Sequence, residues 1–494
     1  MEKLNCNDKE PTHKMSDSEK ETEMKSRDGD GMDSKELPLV KGDNPENRRI
    51  YAWIEEIVGS QFLQEIIYDG ENNAGNRKRK FSLLEFELGK DEPSEDDLLR
   101  CSLGEGMVIP LKVVYLLDGV RTSNQLLMRL PTYFYDFAED VNDETFLSPI
   151  TVHTHETYFY STVLPDIKNF LQSEGVDLKL AIPECFYVKH CPKYEMRKTP
   201  ALVENLMSAK SLLLLLDPKG EGFNELESVE DVDLQEGLAA MTEMAKLHAV
   251  TWSMQEKRGR ELNDIWEDLL SVVDQEAIND HVVEGSFELL SLGLGRNKAE
   301  GESPEDRNLY EKLLQMKPKI EEILKKTLYA SGPNIPNSLL HMMIGGPNLF
   351  FRKKYNSSHG SERDLSDDLT ETTECCIASW SLATIGNPIL DVALFTCVSL
   401  ITKVRSQYTG LFLKHYWQNF ESVAQLLQVT PKFDFQYVLR EFEKFQIWCY
   451  LFMIAACKQD DMKLEEIRDI VENILDILSN LEVQESGSVA TLFN

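Results

Sequence analysis

The chain predicts an α+β architecture of two lobes, a small N-terminal sheet carrying a helix and a larger, mainly helical C-terminal lobe. Three observations predict it. Short apolar runs separated by polar loops, the pattern of strands, are concentrated before residue 217. Beyond "DPKGEGF", long stretches carry apolar residues at helical spacing without a break. One interval interrupts that helical half, where two short apolar runs flank an acidic insert as the arms of a hairpin would.

Taken in order, residues 1–47 are poor in apolar side chains and rich in Lys, Glu, Asp and Ser, so they read as a disordered tail. Order should begin at "RRIYAWIEEIVGSQFLQEII", whose apolar residues recur at helical spacing. "FSLLEFEL" and "MVIPLKVVYLL" read as strands separated by the acidic loop "GKDEPSEDD". "SNQLLMRLP" is a further strand, ended by Pro131. "HTHETYFYSTVLPDIKNFLQSEG" reads as a helix from about Thr151, bent or split by Pro165. "IPECFYVKH" and "AKSLLLLLD" complete a sheet of about five strands, which closes an N-lobe over 48–217. The C-lobe, 218–485, holds helices at "LQEGLAAMTEMAKLHAVTWSMQ", at "GSFELLSLGLG", at "EDRNLYEKLLQMKPKIEEILKKTLYA" and from Ile389 to Leu481. Its embedded hairpin is formed by "SLLHMMIGGPNLFF" and "CCIASWSL" around the insert 353–374, and 486–494 reads as a flexible tail.

Bulk properties bound the function. A chain of 494 residues suits two or three packed units rather than one small core. Its formal charge of -33 argues against binding to nucleic acid or to an anionic membrane, both of which need a basic face. None of the nine cysteines forms paired CxxC motifs, so a zinc site is not expected, and buried free thiols in a reducing compartment are. The first twenty residues are polar, unlike a signal peptide, and the apolar runs "SLLLLLD" and "VALFTCVSLITKV" are too short to span a bilayer. A cytoplasmic location is expected.

Six segments, in this order, resemble the ecdysteroid-kinase-like (CHK kinase-like) family of insects and nematodes, which is related to choline and aminoglycoside kinases. "ETYFYSTVLPDI" resembles its helix, "IPECFYV" its Pro-Cys-Tyr strand and "LLLLLDPKGEGF" its hinge. "MAKLHAVTW" resembles its "LAxFHAxS" helix. "HMMIGGPNLFF" stands in place of "HGDLWxxNxxF", and "CIASWSLATIGNPILDVALF" in place of "xIDFQxxxxGxPxxDLxxFL". The resemblance implies a protein-kinase-like fold with a ligand cleft between the lobes, and ATP-dependent transfer of phosphate to a small alcohol, chemistry that rests on positioning and electrostatics.

Carried over residue by residue, the resemblance also shows what has changed. Arg129 stands where the family has its phosphate-binding lysine, so a planar fork replaces a flexible point charge. Lys112 is a substitute in the wrong strand, and an ordinary strand arginine is the alternative for Arg129. Glu156 matches the helix glutamate that pairs with the lysine, and Asp217 lies at the hinge, completing a degenerate nucleotide-binding set. His341 matches a structural histidine. Met343 replaces the catalytic aspartate, and losing such a positioned base costs on the order of 10²–10⁴ in rate. Asn348 matches the metal-binding asparagine, with a plain turn residue as its alternative. Ser379 replaces the magnesium aspartate, although magnesium prefers anionic oxygens. Asp391 matches a structural anchor.

Asp367, Asp368, Glu371 and Glu374 of the insert are candidates for a displaced carboxylate, or members of a solvated loop. Gly70, Gly75 and the basic run Arg77-Lys78-Arg79-Lys80 would approach phosphates, or form a solvated strand entrance. The expected function is that of a pseudokinase with a cleft open to a small molecule or a protein partner. No cofactor is assigned beyond ATP bound without magnesium. An active small-molecule kinase with displaced groups and a purely structural interaction protein are the alternatives.

Overall fold

The computed structural model describes residues 63–64, 67, 80–88, 107–130, 149–191, 211–226, 232–269, 276–295, 304–328, 335–356, 370–400, 402–456 and 464–485. The expectations placed on 1–47, 486–494, Gly70, Gly75, Arg77–Arg79, Asp367 and Asp368 lie outside these residues, as does the side chain of Glu371.

The N-terminal sheet is organised by one tight hairpin. β2 (Met107–Leu117) and β3 (Val120–Leu130) pair antiparallel from Leu117 and Val120 outward. Between them Asp118 and Gly119 both take positive φ, 51° and 84°, as a two-residue hairpin turn requires. β1 (Phe81–Leu88) pairs with β2, and the Lys80 N–H donates to the Asp118 carboxylate beside that turn. β5 (Leu212–Leu216) pairs with β3, and β4 (Cys185–Lys189) with β5. The result is the five-stranded antiparallel sheet that the apolar runs predict, in the order β1-β2-β3-β5-β4.

The helix against the sheet begins at Pro149, two residues earlier than its pattern suggests, and Pro165 does not split it. α1 (Pro149–Tyr158) passes through a π turn (Phe159–Val163) directly into α2 (Leu164–Ser173). Pro165 has no N–H to give the carbonyl one turn back, and the wider turn just before it absorbs that mismatch without ending the helix.

The linker does more than its glycines suggest. Asp217 caps a 3-10 turn (Pro218–Glu221), Gly222 turns the chain at φ 84°, and Asn224–Glu225 forms β6. β6 pairs with Phe350 and Phe351 of β8 (Leu349–Asn356), and β8 pairs with β9 (Thr370–Ile377). The predicted hairpin is therefore a three-stranded sheet whose third strand comes from the linker. Its arms extend into the polar stretch read as insert, through Asn356 on one side and from Thr370 on the other. β7 (Ser338–Leu340) pairs instead with β10 (Thr384–Gly386).

The remaining elements are helical, and all but the one-turn α4 fall where helical spacing predicts them: α3 (Leu234–Arg258), α4 (Leu262–Ile265), α5 (Glu276–Gly295), α6 (Pro304–Leu328), α7 (Ile389–Val398), α8 (Thr402–Leu426), α9 (Phe435–Ala456) and α10 (Leu464–Glu485). α3 starts with a reciprocal cap, in which Glu236 N–H donates to the Asp233 carboxylate and Asp233 N–H to that of Glu236. It ends at Gly259, φ 60°. Its buried face packs on α8, where Gly237 lets the Phe412 ring approach so closely that a Cβ would meet it at 2.8 Å. One apolar core joins Phe159 and Ile167 of the sheet's helix, Leu213 and Leu215 of β5, and Trp252, Phe395, Phe412 and Trp448 of the helical lobe. Among the described residues no helix is long and apolar enough to cross a membrane.

Candidate functional site

Arg129 is the penultimate residue of β3, and Glu156 lies two turns into α1, so the sheet and its helix bring the pair together. Nη1 of Arg129 donates to both carboxylate oxygens of Glu156, at 2.9 and 2.7 Å. Nη2 donates to the Ser379 hydroxyl at 3.0 Å. The guanidinium thus spans two acceptors that a single ammonium would not reach in these directions. The Trp380 N–H adds a hydrogen bond of 3.2 Å to Glu156. Arg129, Glu156 and Ser379 are all buried, at 5%, 1% and 5% exposure. Lys112 is exposed on β2, opposite Gln125, and takes no part.

Ser379 follows β9 with φ 62°, a strained value for a residue with a Cβ. The 3-10 turn it opens (Trp380–Leu382) buries the Trp380 indole completely. That ring stacks on Phe159 of the π turn, 4.5 Å between centroids, and meets the edge of His341 at 4.6 Å. Its indole N–H donates to the Ile377 carbonyl.

The second loop, from His341 to Asn348, follows β7 and keeps a defined shape without a reactive side chain at its centre. Asp391, fully buried at the start of α7, accepts the N–H of His341 at 2.6 Å and of Met342 at 2.9 Å. Nδ1 of His341 accepts the Met343 N–H, which leaves the proton on Nε2 to donate to the Ala378 carbonyl at 2.7 Å. Burial holds the His341 pKa below its ordinary value, in keeping with a neutral ring. Met342 sits at φ 66°, the second strained residue of the site. The Asn348 side-chain NH2 donates to the Met343 carbonyl at 2.8 Å, and the Asn348 backbone carbonyl accepts the Ala378 N–H. The two loops are therefore adjacent, tied through Ala378.

Asp217 stands apart from this network. Its carboxylate accepts the Lys219 N–H at 2.9 Å, and its N–H donates to the Gln125 carbonyl, so it shapes the linker. Burial pushes its carboxyl above the usual range. Glu374, a candidate for a displaced carboxylate, is bound instead by Arg352 and Lys354 on the hairpin face.

Three supporting residues carry no assigned role in the sequence reading. His248 Nε2 lies 3.3 Å from Asp391, and its Nδ1 is 3.0 Å from the Tyr416 hydroxyl. The Ser399 hydroxyl donates to the Ile344 carbonyl. For His248 the signal exists, since it is a polar side chain on the buried face of α3. Tyr416 and Ser399 have none, because their partners are distant in sequence.

The donor set does not suit a magnesium ion. Its oxygens would be a neutral hydroxyl already bonded to a guanidinium and the neutral amide oxygen of Asn348, whose NH2 is held by the Met343 carbonyl, whereas magnesium takes one or two carboxylates. Glu156 is neutralised by Arg129. Among the described residues, no three His, Cys, Asp or Glu side chains are grouped so as to hold a metal.

The chain is similar to several solved structures. One is a microcompartment-associated aminopropanol kinase, at 13% identity and a TM-score of 0.37, with 84% of this chain and 95% of that one covered. The choline kinase LicA from Streptococcus pneumoniae follows at 10% identity and 0.30, with 85% and 99% covered. An aminoglycoside phosphotransferase from Alicyclobacillus acidocaldarius subsp. acidocaldarius shows 10% identity and 0.31, with 76% and 90% covered. No curated protein matches the chain. The model of the ecdysteroid kinase-like family matches residues 136–429, a span that holds Glu156, both site loops and Asp391. With that match over more than half of its length, the chain belongs to the ecdysteroid kinase-like family.

Proposed function

We propose that this member of the family is a pseudokinase: it keeps the family's fold and the shape of its loops but does not transfer phosphate. The observation that carries this reading is Met343. The loop around it is held by Asp391, His341 and Asn348, and the residue that the family resemblance puts at the base position carries a thioether. A thioether accepts no proton at neutral pH, and nothing in the described part of the loop replaces it. Ser379 compounds the loss on the metal side. The cleft then serves to hold a small ligand without magnesium, or a partner, rather than to turn a substrate over.

The test is phosphate transfer from ATP, with magnesium or manganese, to a panel of ecdysteroids and small alcohols by the purified protein. No transfer above an Asn348→Ala control is expected, and Met343→Asp alone should not restore it. Transfer that Asn348→Ala abolishes overturns the proposal.

A further inference from the structure

Arg129 and Glu156 belong to the sheet and its helix, whereas Ser379 and Trp380 belong to the loop after β9. Two hydrogen bonds cross that division, Arg129 to Ser379 and Trp380 to Glu156, and the stack of Trp380 on Phe159 crosses it as well. In magnesium-dependent phosphate transfer, the two sides of such a cleft are joined through the divalent ion and the phosphates it bridges. Here they are joined directly, and a guanidinium provides the positive charge. Its planar fork allows this, with one nitrogen on the glutamate and the other on the serine.

We infer that Arg129 is the resident cation of this cleft, replacing a divalent ion as the charge that ties the two sides together and excluding such an ion from Ser379. The inference rests on the proposed loss of phosphotransfer and adds a specificity rule to it. Among the described residues, the carboxylate paired with Arg129 is that of Glu156, so its charge is already matched by a resident cation. A divalent ion placed on the Ser379 oxygen would sit beside a guanidinium hydrogen-bonded to that oxygen at 3.0 Å, in a buried site where like charges repel strongly. A ligand of this cleft must therefore arrive without a metal. Arg129 acts as a positioning and specificity residue, not as a catalytic one.

Manganese, as the free ion, is the probe. Its binding to the full chain is read by electron paramagnetic resonance, and backbone hydrogen exchange is followed over 341–349 and 378–382. The wild-type protein should bind no manganese at the cleft. Arg129→Gln/Ser379→Asp, which removes the cation and supplies a carboxylate, should bind it at least about tenfold more tightly. Ser379→Asp alone keeps a charge partner for Arg129 and guards against failure of the double variant to fold. It should bind manganese more weakly than the double variant. Ser379→Ala should raise exchange in both loops, because the direct tie is cut. Equal manganese affinity in Ser379→Asp and in Arg129→Gln/Ser379→Asp overturns the inference, and so does unchanged exchange in Ser379→Ala. Manganese binding by the wild type without phosphate transfer would remove the resident cation and leave the pseudokinase reading standing. Phosphate transfer would remove that reading directly.

Discussion

Replacing Glu156 by Gln removes the counter-charge of Arg129 while keeping the side chain's shape. Both members of the pair are almost completely buried, with side-chain exposures of 6% and 1%, so water cannot take over the lost contact. Two hydrogen bonds from Nη1 and one from the Trp380 N–H converge on this carboxylate. An amide has one acceptor oxygen, and its NH2 would face at least one of those donors. Leaving one member of a buried pair uncompensated costs about 3–5 kcal/mol. Replacing both members by apolar residues of similar volume, Arg129→Met with Glu156→Leu, removes the two charges together and leaves only the Trp380 N–H and the Ser379 hydroxyl without these partners, at about 1–3 kcal/mol. Arg129→Met, Glu156→Leu and the variant carrying both therefore form a cycle with a coupling of at least about 2 kcal/mol. Urea unfolding followed by tryptophan fluorescence measures it, since Trp380 lies in the network. A cost below about 1 kcal/mol for Glu156→Gln would refute the reasoning, because that is the range of a solvent-screened surface pair.

Three further outcomes follow from the same contacts. Asp391→Asn faces the N–H groups of His341 and Met342 with an amide, so it should cost on the order of 3 kcal/mol and raise hydrogen exchange at 341–343. Gly237→Ala should destabilise by about 1–3 kcal/mol in urea unfolding, because its Cβ would overlap the Phe412 ring. His153 is fully buried, and burial, then Arg129, lower its pKa from 6.5 to about 3. Its neutral form favours the folded state, so its contribution is complete above pH 6.5 and is lost as the pH falls toward 3, at up to about 1.4 kcal/mol per pH unit. The acid limb of stability against pH should be shallower in His153→Phe, and parallel limbs would contradict this origin.

Much of the architecture is legible in local pattern. The apolar runs at 81–88, 107–117 and 212–216 become strands, because a short apolar run bounded by polar residues suits a strand, including one buried on both faces as at 212–216. The long helical spacing of 234–258 and 435–456 becomes α3 and α9 for the same reason. β6 has no signature in the sequence, since two residues carry no period and their pairing with Phe350 and Phe351 is a tertiary event. The π turn before Pro165 was equally hidden: proline announces a mismatch but not how the chain absorbs it.

At the site, the sequence alone establishes a resemblance, in which Arg129, Met343 and Ser379 stand where the family pattern has other residues and Glu156, His341, Asn348 and Asp391 agree with it. It is legible because each family motif ties a residue type to a fixed place in a strand, loop or helix. Only the tertiary structure decided what the changed residues do together. Arg129 and Ser379 are separated by 250 positions and meet at 3.0 Å. Glu374, close to Ser379 in the chain, points to Arg352 and Lys354 instead. The reason is physical: a hydrogen bond depends on distance and direction in the folded chain, and these are set by how β3, α1 and the loop after β9 pack around Phe159 and Trp380.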